Sequence, residues 1–230
     1  MTLILFDIDG TLTATNAVDA QCYAAAFKDT FGVPLPTTDW DTYVHVTDSG
    51  IIHEVLEAQR GNRACQDEID AFEQAFVRHL EVEFAHNPAG FAEIPGAKAI
   101  LDAIAARDGM QAGIATGGMR ASAHYKLSRI GVDSTAYATG SSNDADTRQG
   151  IARRAIALAD GDPADLVYVG DGPWDAKTSA SMGMRFIGIT GDALPEHLLA
   201  CGATICIDDY RDQDRFFDAV TAAEVPSVCG

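Results

Sequence analysis

Two aspartates one residue apart, Asp7-Ile8-Asp9, sit directly after the apolar run Thr2 to Phe6 and lead into Gly10-Thr11. A carboxylate is a competent nucleophile toward phosphorus. On extended backbone, residues i and i+2 point to one side, so Asp7 can attack while Asp9 handles a proton. Two more polar clusters follow apolar runs in the same way. Thr116-Gly117-Gly118 comes after Met110 to Ala115, and Gly170-Asp171-Gly172-Pro173-Trp174-Asp175 comes after Leu166 to Val169. If the three runs are neighbouring strands, the carboxylates and a hydroxyl crowd one sheet edge. Like charges so close repel and titrate upward. A hard divalent ion with oxygen ligands resolves the conflict, and near-octahedral Mg²⁺ suits a phosphate partner.

The elements that must position these residues are legible as alternating patterns. Thr2 to Phe6 is a short bounded apolar run, the mark of a buried strand. Tyr23, Phe27 and Phe31 recur at i, i+4, i+8 in a helix expected to stop at Gly32. Ile51, Ile52, Val55 and Leu56 predict a second helix, with Asp48 or Ser49 as its cap. Ile69, Phe72, Phe76, Leu80 and Phe84 predict a third. Residues 15–85 therefore read as all-helical. After Asn87-Pro88-Ala89-Gly90 and Pro95-Gly96, the character changes. Strands are predicted at Met110 to Ala115, Thr135 to Ala138, Leu166 to Val169, Met184 to Ile189 and Thr204 to Ile207. Helices are predicted around Ala97 to Ile104, Arg120 to Ile130, Asp146 to Ala159, Trp174 to Met182 and Phe216 to Val220. Strands separated by helices imply a parallel sheet covered on both faces. The expected fold class is α/β, a Rossmann-like doubly wound sheet at 1–14 and 90–230, with an inserted all-helical cap at 15–89. Ligands of such sheets bind beyond the carboxyl ends of the strands, where the polar clusters lie.

Composition narrows the function further. At 230 residues, with 47% hydrophobic and 22% charged residues, the chain can bury one core plus a small accessory domain. Its net charge of −18, from 34 acidic and 16 basic residues, repels nucleic-acid backbones. No apolar run approaches the ~18 to 20 residues that span a bilayer, and the start of the chain lacks a signal pattern. The expectation is a cytoplasmic protein that binds neither membrane nor nucleic acid, as a monomer or homodimer. Cys22, Cys65, Cys201, Cys206 and Cys229 show no CxxC or Cys/His spacing, so reduced thiols are expected rather than zinc or disulfides.

Together the motifs resemble those of the haloacid dehalogenase superfamily. Asp7-Ile8-Asp9-Gly10-Thr11 is similar to its first motif, Ile114-Ala115-Thr116-Gly117-Gly118 to its second, and Val169-Gly170-Asp171-Gly172-Pro173-Trp174-Asp175 to its fourth. The resemblance spans nearly the whole chain. It implies Asp7 as nucleophile, Asp9 as general acid/base, and Thr116 with the Gly117 amide as phosphoryl binders. It further implies a Mg²⁺ site built from the Asp7 carboxylate, the Asp9 carbonyl oxygen and the Asp171 carboxylate, assisted by Asp175. Asp9 resembles the phosphatase and phosphomutase branches rather than the dehalogenases. A cap inserted after the first motif points to the phosphoglycolate phosphatase-like and beta-phosphoglucomutase-like branch, with a small phosphorylated metabolite as substrate.

The third motif departs from the family's common Lys or Lys-Pro. Arg148, 23 residues before Asp171, is the candidate cation; Arg153, Arg154 and Lys177 are fallbacks. The GxGxxD string at Gly170 lacks the third glycine of a nucleotide loop, and no P-loop occurs. Arg60, Asn62 and Arg63 are read as solvated loop residues, His45 as lacking a partner, Trp174 as packing its loop, and Thr11 and Thr15 as turn ends. The leading expectation is hydrolysis of a small phosphate monoester through an aspartyl-phosphate. A sugar phosphomutase on the same scaffold is the runner-up, and a non-catalytic binding protein a distant third.

Overall fold

A computed structural model describes residues 1–227. In chain order the elements are β1 (Thr2–Phe6), α1 (Asn16–Phe31), α2 (Asp48–Arg60), α3 (Gln66–His86), α4 (Ala97–Ala105), β2 (Met110–Ala115), α5 (Arg120–Arg129), β3 (Ala138–Gly140), α6 (Arg148–Leu158), β4 (Asp165–Gly170), α7 (Pro173–Met182), β5 (Arg185–Ile189), α8 (Glu196–Ala200), β6 (Cys206–Ile207) and α9 (Gln213–Ala222). The six strands form one sheet in the order β3-β2-β1-β4-β5-β6, and every neighbouring pair is parallel. The expected α/β doubly wound class is the observed one. Among the described residues no helix is long and apolar enough to cross a membrane. Cys22, Cys65, Cys201 and Cys206 are unbonded; Cys229 lies outside the described residues.

The apolar runs become strands because both faces of the sheet are buried. In β1, Ile4 and Phe6 join the core formed with α4, α5 and α9, while Leu3 and Leu5 join the opposite one with Ile151, Ala155 and Phe186. The register places Phe6 opposite Ile114 of β2 and Val169 of β4. Asp7, Thr116 and Asp171 therefore follow one common rung by one, two and two residues.

The three helices after β1 have their own apolar cluster. Tyr23 packs edge-on against Phe72 and Phe76, with ring centroids 4.9 and 5.6 Å apart, and Met119 joins this cluster from the loop after β2. The insertion leaves and returns at one place: Ala14 N–H donates to Ala92 C=O at 2.8 Å, and Thr13 bridges antiparallel to Glu93.

Several boundaries differ from expectation, each for a local reason. The edge strand β3 is Ala138–Gly140 rather than Thr135 to Ala138, because Asp133 accepts from Thr135 N–H and winds Ser134–Ala136 into a 3₁₀ turn. Helix α6 starts at Arg148, not Asp146, capped by Thr147, whose hydroxyl accepts from Gly150 N–H. Thr47 rather than Asp48 or Ser49 caps α2, accepting from Gly50 N–H at 3.2 Å. The segment between Gly32 and Thr47 carries only the single 3₁₀ turn Trp40–Thr42, so the insertion is not helical throughout. Strand β6 is two residues long, and α8 carries too short a pattern to be read from the chain.

Candidate active site

Asp7 leaves the end of β1 with its N–H donated to Val169 C=O at 3.0 Å. This fixes it beside the end of β4 and buries it to 4% exposure. Carboxylate oxygens of Asp7, Asp171 and Asp175 all lie within 4.8 Å of one another. Burial, then the charge of Asp7, pushes the Asp171 carboxyl up to about 7, against a small lowering from Asn16, whose side chain donates to it at 2.9 Å. A cluster of hard oxygens whose mutual repulsion raises a pKa is a donor set that a divalent cation neutralises. Its chemistry fits Mg²⁺. Gly10 makes the approach possible: a Cβ there would lie 1.9 Å from Asp171 Oδ2, and its φ of +73° suits glycine.

Asp175 is more committed than the other two. It is fully buried at the start of α7, with Oδ1 accepting from Arg148 Nη1 at 2.8 Å and Oδ2 from Gly172 N–H at 3.1 Å. Burial drives its carboxyl well above the usual range, with Arg148 opposing.

Arg148 is the cation of the site. Its Nη1 also stands 3.3 Å from Asp7 Oδ2, its Nε donates to Val46 C=O at 2.8 Å, and its side chain is 11% exposed. Burial alone would weaken the guanidinium's hold on its proton; Asp7 and Asp175 more than offset that and keep it charged. The guanidinium lies close against Gly117, where a Cβ would come within 2.6 Å of Nη2. The fallbacks are elsewhere. Arg153, Arg154 and Lys177 are exposed, and Arg154 pairs with Asp144.

Thr116 is buried at the end of β2, its N–H donating to Gly140 C=O and its hydroxyl accepting from Gly118 N–H. Gly117 C=O accepts from Asp48 N–H at 2.8 Å. Asp7, Asp9, Thr116, Gly117, Arg148 and Asp171 thus line one cavity of about 160 Å³, and Asp175 backs it. Trp174, expected to pack its loop, also walls this cavity, beneath Arg148 at 5.7 Å.

Asp9 is held by two groups that the sequence reading missed or undervalued. Thr15 Oγ1 donates to Oδ1 at 2.5 Å, and Lys126 Nζ donates to Oδ2 at 2.5 Å. Lys126 also donates to Asp19 Oδ1 at 2.6 Å and is 1% exposed. Burial penalises its charge, but Asp19 and Asp9 dominate and hold it protonated. Burial, then Asp9, raises Asp19 to about 6. A signal existed. Asp19 falls four residues before Tyr23 and eight before Phe27, in register with the apolar stripe, and Lys126 shares the buried face of α5 with Ser122 and Ala123. A charged residue in a buried stripe needs a partner.

The loop before α2 seats the insertion on the sheet. Thr47 Oγ1 donates to Asp146 C=O at 2.7 Å, and Ser49 Oγ to Ser142 C=O at 3.0 Å. Asp48, buried and uncapped by role, accepts Met119 N–H at 2.8 Å. Arg63 pairs with Asp146, and Arg60 turns back to Glu68, so neither enters the cavity.

A family model described as haloacid dehalogenase-like hydrolase matches residues 1–183. The chain belongs to that family. The haloacid dehalogenase-like fold recurs in solved structures. A hydrolase from Pseudomonas syringae is 19% identical, with TM-score 0.71, covering 95% of this chain and 98% of that one. A protein assigned as a beta-phosphoglucomutase from Bacteroides vulgatus is 19% identical, with TM-score 0.66, covering 96% and 89%. One assigned as a phosphoglycolate phosphatase from Haemophilus somnus 129PT is 18% identical, with TM-score 0.55, covering 94% and 97%. No curated protein matches at a significant level. Identities this low establish a shared fold.

Proposed function

We propose that this haloacid dehalogenase-like hydrolase removes the phosphoryl group from a small phosphate monoester in a Mg²⁺-dependent reaction, through an aspartyl-phosphate on Asp7. The observation that carries this reading is Asp7 itself, flanked by Arg148 at 3.3 Å and by the Asp171 and Asp175 carboxylates within 4.8 Å. The guanidinium is available to phosphoryl oxygens, and the hard-oxygen cluster, one member of which it also holds, to a divalent ion. Bound there by Asp7, Asp171 and the Asp9 carbonyl, with Asp175 behind, the ion would neutralise charge on the transferring group.

The chain's own residues supply the rest. Thr116 and the Gly117 amide orient the phosphoryl oxygens while Arg148 keeps its charge against them. Asp7 Oδ displaces the alcohol, and Asp9 gives that alcohol its proton. For that step Asp9 turns from its rest contacts with Thr15 and Lys126 toward the leaving oxygen. Asp9 then takes a proton from water, which attacks the aspartyl-phosphate and releases phosphate. The walls from the insertion exclude bulk solvent during both steps.

Phosphate release from p-nitrophenyl phosphate with and without Mg²⁺ tests the proposal. Turnover is expected with the metal and is expected to vanish in Asp7→Asn. Activity surviving that substitution would refute Asp7 as the nucleophile.

A further inference from the structure

The cavity is rich in carboxylates beyond what phosphoryl transfer requires. Asp7, Asp9, Asp19, Asp48 and Asp171 line it, with Arg148 among them as the lining cation. Arg148 is engaged by Asp7 and Asp175, and Lys126 by Asp9 and Asp19. Asp7 and Asp171 belong to the divalent ion of the proposed reaction. Asp48 is left over. It is 8% exposed, yet among the described residues it has no cation within 4.0 Å. Its Oδ2 is used by Met119 N–H at 2.8 Å, while Oδ1 has no hydrogen-bond partner among the described residues. Burial, then Asp19, pushes this carboxyl well up, with the Lys126 ammonium and the Met119 N–H opposing. Trp40, Val46, Ile51 and Trp174 line the same cavity, and indole rings favour a cation over an anion.

Resting on the phosphatase reading above, we propose that the leaving group is a small alcohol bearing an ammonium, so that the substrate class is the phosphorylated amino alcohols, with Asp48 pairing the ammonium. A carboxylate or second phosphate at that end would face Asp48, while the Lys126 ammonium is already engaged by Asp9 and Asp19. An uncharged alkyl end would offer Asp48 Oδ1 no donor, and a site built to hydrogen-bond a group discriminates strongly against a substrate lacking it. The chemistry balances without a further reactant. The bond from phosphorus to the amino alcohol oxygen breaks as the bond to Asp7 forms, Asp9 protonates the departing oxygen, and water returns Asp7 and releases phosphate. The ammonium keeps its charge throughout.

The test compares kcat/KM, with Mg²⁺ present, for O-phosphoethanolamine, for propyl phosphate of matching shape without the charge, and for phosphoglycolate. The amine is expected to exceed propyl phosphate by at least about tenfold, with phosphoglycolate the poorest of the three. A smaller ratio, or phosphoglycolate as the best, overturns the proposal. Asp48→Asn retains an acceptor for Met119 N–H and is expected to bring the amine-to-propyl ratio close to one; an unchanged ratio also overturns it. Where Asp48→Asn does not fold, the wild-type ratio decides alone. p-Nitrophenyl phosphate separates the two levels. Its hydrolysis beside a low amine ratio sinks the substrate class and leaves the phosphatase standing, whereas no release from any ester sinks both.

Discussion

Arg148 makes three contacts with one planar group: Val46 C=O through Nε, and Asp175 and Asp7 through Nη1. A lysine ammonium cannot span that fork. Arg148→Lys is therefore expected to lose most of what Arg148→Ala loses, about 10²- to 10³-fold in kcat, measured on p-nitrophenyl phosphate under saturating Mg²⁺. Retention of more than a tenth of wild-type turnover in Arg148→Lys would show that charge alone suffices. This arginine was legible in the chain because it precedes the strand of Asp171 at a workable distance; Arg153, Arg154 and Lys177 stayed open as fallbacks until the fold placed them on the surface. Asp48 was misread as a helix cap. Cap preference describes a side chain folding back on its own helix, whereas Asp48 reaches across to Met119 N–H on another element, a choice no local pattern records.

Between elements, the most consequential contact joins α5 to α1 through a fully buried ammonium. Lys126 has Asp9 on one side and Asp19 on the other. Removing one member of a buried ionic group strands the rest, at a cost of about 3–5 kcal/mol. Lys126→Met is expected to lower unfolding free energy in urea by that amount. Adding Asp19→Asn to it is expected to recover part of the loss, since two crowded carboxylates become one. A loss under about 1 kcal/mol would mean the group is hydrated in solution. The turn joining α2 to α3 behaves oppositely. Arg60 holds Glu68 by two bonds of 2.7 Å, and Cys65 N–H adds a third; together these depress the carboxyl to about 2. Because the folded value lies below the unfolded one, the stabilisation is present above about 4.5 and disappears as pH falls toward 2. Glu68→Gln is expected to flatten stability over that window slightly, by less than about tenfold in the unfolding equilibrium, as suits an exposed pair. The element pattern was easiest to read where burial is two-sided, as in β1. It was hardest at β3, a three-residue edge strand whose place is set by the Asp133 turn before it and by pairing with Gly113–Ala115.

For the whole molecule, three carboxylates converge where the proposed cation would bind. With Asp7, Asp171 and Asp175 gathered at one edge, Mg²⁺ that binds the folded chain alone is expected to raise its melting temperature. The gain corresponds to about 2.7 kcal/mol at a hundredfold excess over Kd, and EDTA is expected to reverse it. An equal rise in Asp171→Asn would move the ion elsewhere. Motif order and strand alternation made the sheet and its polar edge foreseeable, since both arise from short-range periodicity. How the three inserted helices lie over that edge was not, because it depends on cross-chain pairs such as Thr47 with Asp146 and Asp48 with Gly117. The insertion departs and re-enters side by side, with Ala14 bonded to Ala92 and Thr13 to Glu93. Two adjacent stretches of polypeptide form a narrow doorway there. Anything that passes out and back through it, whether longer, shorter or differently folded, leaves the rungs of the sheet where they are. A replacement segment could enter and leave by the same doorway, but it would also have to supply the partners that Val46 gives Arg148 and Asp19 gives Lys126.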